Sequence, residues 1–351
     1  MNRNLDEKDI FSLITEIESK YSKEIISLDS ESWPLVRIYI INFLQNKQKF
    51  NKKSSTKAFK DRLSFILKKL KVIPSQISIK KYFHSNEILE SKNIFFSRSH
   101  FLDKLSSGKF FDRIIDPFFL TSSANIKSSK FYLDNKFLKY NLFAKGFFFQ
   151  RNKFLIFLPK FSNKKIRNLE DDCKYFLELF IKETNQESIN QFLLKDFKRT
   201  LKSYLNAKDN AKKFLKKFKF LKKIFISSWY APDAMGIIAA ANELQIQTID
   251  IQHGKQGKYQ AAYCGWDFIP KNGFLNLPRF FWCWGEKSVD NILGKKKSRA
   301  NHLPMLVSYP WPIWYQTFIS KKASEKNKSK IRLLFTMQWK KGNTIIEPLL
   351  T

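Results

Sequence analysis

The chain has 351 residues, of which 43% are hydrophobic, enough apolar material for one large domain or two modest ones and too much for wholesale disorder. Lys and Arg number 64 against 31 Asp and Glu, a net charge of +33 that should attract anions, although lysine mixed with Phe, Ile and Asn is also what a low-GC coding bias produces. Cys173, Cys264 and Cys283 are too few and too scattered for a disulfide framework or a metal cluster, the charged N-terminus lacks a signal-peptide core, and no apolar run reaches the roughly 18 residues of a membrane span.

In chain order, Ile10, Leu13, Ile14 and Ile17 fall at helical spacing and predict an amphipathic helix over 5–21. A more buried helix follows over 33–46, with Pro34 tolerated in its first turn. The basic stretch after it reads as a solvated loop running into a helix over 57–71. Near residue 93 the period changes. NIFFSRSH is a short apolar run ending in polar residues, the signature of a buried parallel strand meeting a loop at its carboxyl edge. SKFYLD at 129–134 and KFLIFLP at 153–159 are further strand candidates, and their alternation with helix-length segments indicates an α/β fold.

Residues 168–222 read as helical. Phe192, Phe197, Leu201, Leu205, Phe214, Phe218 and Leu221 can share one apolar face ringed by lysines, fit either for core packing or for an anionic lipid surface. A βαβ unit comes next: KIFISSWY as strand, APDAMGIIAAANELQ as a small-residue helix with Asp233 in its first turn, and IQTIDIQHG as strand and loop. FFWCWGE at 280–286, a helix over 287–293 and MLVSYP at 305–310 extend the sheet. A Lys/Ser-rich linker at 320–330 then leads to IRLLFTMQW, expected either to add to the first sheet or to open a further domain of which 331–351 is only the first strand. The organisation expected is a helical region over 1–90 and an α/β domain over 91–319 with a helical insertion.

The strongest chemical signal is DIQHGKQGKYQ at 250–260. A strand delivers Gln252, His253 and Gly254 to the carboxyl edge, and Lys255, Gly257 and Lys258 follow at once. Glycines permit close backbone approach and lysines suit a phosphate or carboxylate, although no Walker motif is present. An imidazole can take a proton from a sugar hydroxyl at neutral pH; a loop histidine can also be a plain hydrogen-bonder. RSH at 98–100 and FDRIIDP at 111–117 place Arg98, His100, Asp112, Arg113 and Asp116 after the first strand of the same sheet, so both clusters should line one crevice. Asp112 and Arg113 could equally form a salt-bridged loop. Glu286 could face the crevice or cap the next helix. No zinc-finger spacing, aromatic RNP-like strand or basic zipper marks a nucleic-acid module, so nucleic acid is not an expected partner.

TIDIQHGKQGKYQAAYCGWDFIP, followed by LPRFFWCWGEKSVDNI, resembles bacterial lipopolysaccharide and capsule biosynthesis glycosyltransferases of the GT-B type that carry a strand ending in QHG. SWPLVRIYI and the block from IFFSRSH to FFDRIIDP look like N-terminal parts of the same group, so the resemblance spans most of 33–340. It implies a Rossmann-like N-terminal domain that binds acceptor, a C-terminal domain that binds a nucleotide sugar, and a role for His253 near the reacting centre. It implies no cofactor beyond the nucleotide sugar as substrate, a glycan or lipid-linked acceptor, and work in the cytoplasm, peripheral to the inner face of the membrane. The chain departs from the pattern where IRLLFTMQW would begin the donor domain: a separate donor-domain polypeptide, an inactive remnant that still binds carbohydrate or polyanion, or a fragment would each account for it.

Overall fold

The computed structural model of this chain describes residues 6–50, 86–105, 107–123, 126–134, 140–144, 146–148, 164–184, 190–294 and 299–309. The chain divides into two units, Met1–Trp311 and Pro312–Thr351. The second unit lies outside the described residues, as do the expected helix at 57–71, strand at 153–159, linker at 320–330 and strand IRLLFTMQW.

The first unit opens with helices α1 (Glu7–Lys20), α2 (Ser22–Ser27) and α3 (Ser32–Phe50). Asp6 starts α1 through a reciprocal capping box with Asp9, and Ile10, Ile14 and Ile17 form its buried stripe. A short helix α4 (Asn86–Leu89) precedes strand β1 (Asn93–Ser97). The stretch between the first two expected strands, read as being of loop or helical length, holds an antiparallel hairpin, β2 (Leu102–Lys104) with β3 (Phe110–Asp112), and helix α5 (Asp116–Ser123). Strands β4 (Ser128–Tyr132) and β5 (Phe147–Phe148) are followed by the long helices α6 (Lys164–Glu183) and α7 (Asn190–Leu215). The unit then alternates: β6 (Lys223–Ser227), α8 (Pro232–Glu243), β7 (Gln247–Ile251), β8 (Phe280–Cys283), α9 (Glu286–Leu293) and β9 (Leu303–Leu306).

Seven strands make one sheet in the order β5-β4-β1-β6-β7-β8-β9, and every neighbouring pair is parallel. The chain winds outward from β1 through β5, then returns to the other side of β1 and winds outward through β9. This is a Rossmann-like α/β fold with its switch point between β1 and β6, where side chains beyond the strand ends can diverge around a ligand.

Period-two alternation assigns the two faces. Ile94, Phe96, Ile224 and Ile226 point into the larger core, shared with Ile14, Trp33, Val36, Phe176, Phe197, Tyr204 and the alanines 239–241 of the flanking helices. Phe95, Phe225, Ile249 and Ile251 point the other way, onto Phe101, Ile114, Ile115 and Phe118, with Phe95 stacked on Phe225 at 4.6 Å. The N-terminal helices therefore belong to the main core. So does the apolar face of α7: Leu193, Phe197, Leu201, Phe214 and the following Phe218 are all buried. That corrects the lipid-facing alternative for this helix, because the face is already covered by protein; Phe192 lies outside the described side chains. Among the described residues no helix is long and apolar enough to cross a membrane.

Candidate functional site

Three strand ends meet at the switch point. Beyond β1, Arg98 reaches across to Asp233 in the first turn of α8 at 2.7 Å, tying the two halves of the sheet together. Beyond β6, Ser228 takes a positive φ of 61°, a conformation that L-residues other than Asn and Asp seldom hold without a reason. Beyond β7, His253 lies against both. Its Nε2 is 3.2 Å from the Ser228 Oγ and 3.1 Å from the Tyr230 hydroxyl, its ring packs on Phe101 at 5.4 Å, and its Nδ1 is buried without a hydrogen-bond partner.

The turn that carries Ser228 and Tyr230 is held from below. Asp250, fully buried in β7, accepts from the Trp229 backbone N–H at 3.2 Å and from the Tyr263 hydroxyl at 3.0 Å. Burial raises the Asp250 carboxyl well above its ordinary value, and those two donors work against the rise. The loop after His253 is fixed by Arg37 of α3. This guanidinium is wholly buried, pairs with Glu18, donates to the carbonyls of Ala261 (2.9 Å), Cys264 (2.6 Å) and Gly265 (3.1 Å), and lies 4.0 Å from the Trp266 ring.

Around His253 the electrostatics favour the neutral imidazole. Burial is the first cause that pushes its pKa down to about 4, and the nearby positive groups of His100, Arg113 and Arg98 act in the same direction. His100 is exposed, its ring lies tilted against Phe101 at 4.0 Å, and its pKa is also lowered, by partial burial and then by Arg98. Arg113 sits over the Phe101 ring at 5.7 Å and pairs with Asp103 at 2.9 Å, while its carbonyl accepts from the Tyr309 hydroxyl. Tyr309 stacks on Trp284, whose ring centroid is 4.1 Å away.

Of the residues singled out in the sequence, the fold brings Arg98, His100, Arg113 and His253 together around Phe101. Asp112 and Asp116 are placed differently from what the ligand-contact expectation requires. Both are fully buried: Asp112 takes the Ser97 hydroxyl and the N–H groups of Ile114 and Ile115, and Asp116 takes the Asp112 N–H and pairs with the equally buried Lys130. They form a charged floor under the crevice, where burial raises Asp116 to about 6 against the pull of Lys130. The salt-bridged alternative for Asp112 and Arg113 also gives way, since Arg113 pairs with Asp103 instead.

Gln252 is likewise spent internally, accepting from the Trp284 N–H at 2.7 Å and donating to the Gly254 carbonyl at 2.8 Å. Lys255 and Glu286 are exposed; Glu286 is the first residue of α9, whose N-cap is Gly285 rather than a capping carboxylate. At Gly254 and Gly257 an added Cβ would meet nothing within 4 Å, so the chain's own packing does not demand glycine at either place. Sequence reasoning missed Ser228, Tyr230 and Phe101. The SSWY that ends β6 carried the signal, a polar pair at the end of an apolar central strand.

Among the described residues no group of His, Cys, Asp and Glu is arranged to hold a metal ion. Comparison with known protein families, curated proteins and solved structures gives no match to this chain.

Proposed function

We propose that the crevice at the switch point binds a sugar acceptor and that His253 is the base for transfer of a glycosyl group from a nucleotide sugar. The observation that carries this reading is the placement of the His253 Nε2 within 3.2 Å of two hydroxyl oxygens at the carboxyl edge, in an environment that keeps it neutral. An acceptor hydroxyl that replaces one of them would give its proton to Nε2. Its oxygen then forms the bond to the anomeric carbon while the bond to the phosphate oxygen breaks, and the nucleoside diphosphate leaves. The resemblance in the QHG segment supports the same reading, as do the positive groups of Arg98 and Arg113 near His253 for an anionic donor. Donor-binding residues would come from the part of the chain outside the described residues or from a separate polypeptide. The setting that fits is the inner face of the cytoplasmic membrane, in the synthesis of a surface polysaccharide.

The test is sugar transfer from a panel of nucleotide sugars to glycan and lipid-linked acceptors, with the donor-side polypeptide supplied where needed. His253→Ala should lower turnover by about a hundredfold or more, the range a positioned general base contributes. His253→Gln keeps a hydrogen bond but cannot take the proton, so full activity in that variant would remove the base assignment.

One observation favours a second reading, that of a carbohydrate- or polyanion-binding module without chemistry. Nδ1 of His253 has no carboxylate behind it, and a pKa near 4 makes a weak base. If Lys255→Ala or Arg113→Ala abolishes glycan binding while both His253 variants bind normally and no transfer is found, the binding module is the better description.

A further inference from the structure

The sheet's other edge carries a dense run of positive charge. Residues 216–223 read KKFKFLKK, five lysines in eight residues with no acid among them. The segment leaves α7 and enters β6, so it lies at the amino ends of the strands, opposite the crevice. It is anchored at two points. Phe218 is buried and packs edge-on against Phe214 at 4.9 Å, and the backbone N–H groups of Lys222 and Lys223 both donate to the Lys92 carbonyl at the start of β1.

What the anchoring leaves outside is specific. Phe220 is 46% exposed, with the Lys219 ammonium 5.3 Å from its ring centre. Lys92, Lys216, Lys219, Lys222 and Lys223 are exposed and take part in no ion pair among the described residues. The contrast with the turn just before is informative: Lys212 is paired with Glu243 and Lys213 with Asp209. The acids that balance this helix stop where the segment begins.

We propose that residues 216–223, with Lys92, form a docking surface for anionic phospholipid. An exposed aromatic ring standing out beside the exposed Lys216, Lys219, Lys222 and Lys223 matches the two demands of a membrane interface. The ring enters the headgroup level and the ammonium groups meet lipid phosphates, which draw in basic clusters within a Debye length. The surface differs from the apolar face of α7, which the protein has already covered. Docked in this way, the sheet stands with its amino edge on the lipid and its crevice about 16 Å further out, the length of a five-residue strand. On the acceptor reading above, on which this orientation alone depends, the crevice meets the sugar end of a lipid-linked chain rather than its lipid.

The experiment is co-sedimentation of the full chain with vesicles of phosphatidylcholine alone or mixed with phosphatidylglycerol, with no sugar present, so that its outcome is separate from that of the transfer assay. Binding to the mixed vesicles should fall at least about tenfold in the quadruple variant Lys216→Gln, Lys219→Gln, Lys222→Gln, Lys223→Gln, and should weaken with added salt. Phe220→Ser should lose several-fold with the charge intact. A control of equal charge change, Lys8→Gln, Lys23→Gln, Lys182→Gln and Lys195→Gln, should bind nearly as wild type. Equal loss in the control, or equal binding to neutral vesicles, would overturn the proposal. So would Phe220→Ser binding as wild type while a double-stranded oligonucleotide displaces the vesicles, which would assign the patch to nucleic acid. Circular dichroism of each variant separates loss of binding from loss of fold.

Discussion

Gly254 and Gly257 have no backbone angle and no neighbour that demands glycine. Alanine at either position should therefore leave the protein as stable as before, or raise stability by about 0.4–1 kcal/mol through a stiffer unfolded chain. If the loop admits a ligand close to its backbone, the same substitutions should weaken glycan binding. Thermal unfolding beside a binding titration separates the two effects, and a large loss of stability would show that the glycines serve the fold. A second residue-scale expectation concerns pH. His253 is held near 4 and His302 near 3, both mainly by burial, against an ordinary value of 6.5. Below about 6.5 the unfolded chain then binds protons that the folded chain refuses, so the stability these histidines allow is complete above that pH and lost as pH falls towards 4 and then 3. The raised carboxyls of Asp112, Asp116 and Asp250 act in the opposite sense, so the informative quantity is a difference. His302→Gln should show a smaller drop in Tm between about pH 7 and about pH 5 than wild type; an identical drop would mean that His302 titrates normally in the fold. His253 could be picked out in the sequence because a strand pattern and a QHG ending coincide there. Ser228 and Tyr230 were harder to pick out: SSWY marks a polar pair at a strand end, but their importance lies in a meeting with a residue about two dozen positions later.

At the scale of elements, the meeting of α7 and α8 depends on one absent methyl group. A Cβ on Gly236 would stand 2.6 Å from the Tyr204 carbonyl oxygen and 2.8 Å from the Lys208 nitrogen, both backbone atoms of α7. Gly236→Ala should cost about 1–3 kcal/mol even after the roughly 1 kcal/mol that alanine gains within a helix, as read from denaturant unfolding. A neutral result would mean that the two helices can part without loss. Arg37 offers a sharper case. Arg37→Met leaves Glu18 buried and unpaired, for an expected loss of about 3–5 kcal/mol. The double variant Glu18→Gln, Arg37→Met removes the stranded charge while keeping an acceptor for the Trp33 indole N–H, which now donates to Glu18 at 2.6 Å, and should recover part of that loss. No recovery would assign the whole effect to the carbonyls that Arg37 holds. The small-residue helix and the lysine-ringed helix were each legible from periodicity. Their pairing was not, nor was the use of an arginine from the second long helix as the clamp on a loop more than two hundred residues away, since spacing carries no information about partners so distant.

For the whole molecule, the parallel sheet could be read from short apolar runs alternating with helical stretches, and the N-terminal helices from their apolar stripes. The hairpin at β2 and β3 was hidden, because three-residue strands are too short to show a period. The N-terminal helices read as an appendage yet share the main core, so a chain beginning at residue 91 would expose Phe176, on which Trp33 packs edge-on, and would leave the buried Tyr204 hydroxyl without Glu31. Such a shortened chain should fail to give a cooperative thermal transition, and a sharp one would show that the α/β unit folds alone.

The ties between α3 and the far side of the sheet also set an order of events during synthesis. Arg37 waits for carbonyls 224 to 228 residues later, and the Glu31 carbonyl waits for the Asn276 side-chain amide, 245 residues on. A ribosome adds about 5–20 residues per second, so these helices spend something like 10–50 seconds with their apolar stripes uncovered before their partners exist. These helices are made long before they can settle. Substitutions in 7–44 should therefore reduce the yield of folded protein more than their effect on the finished molecule's stability would suggest.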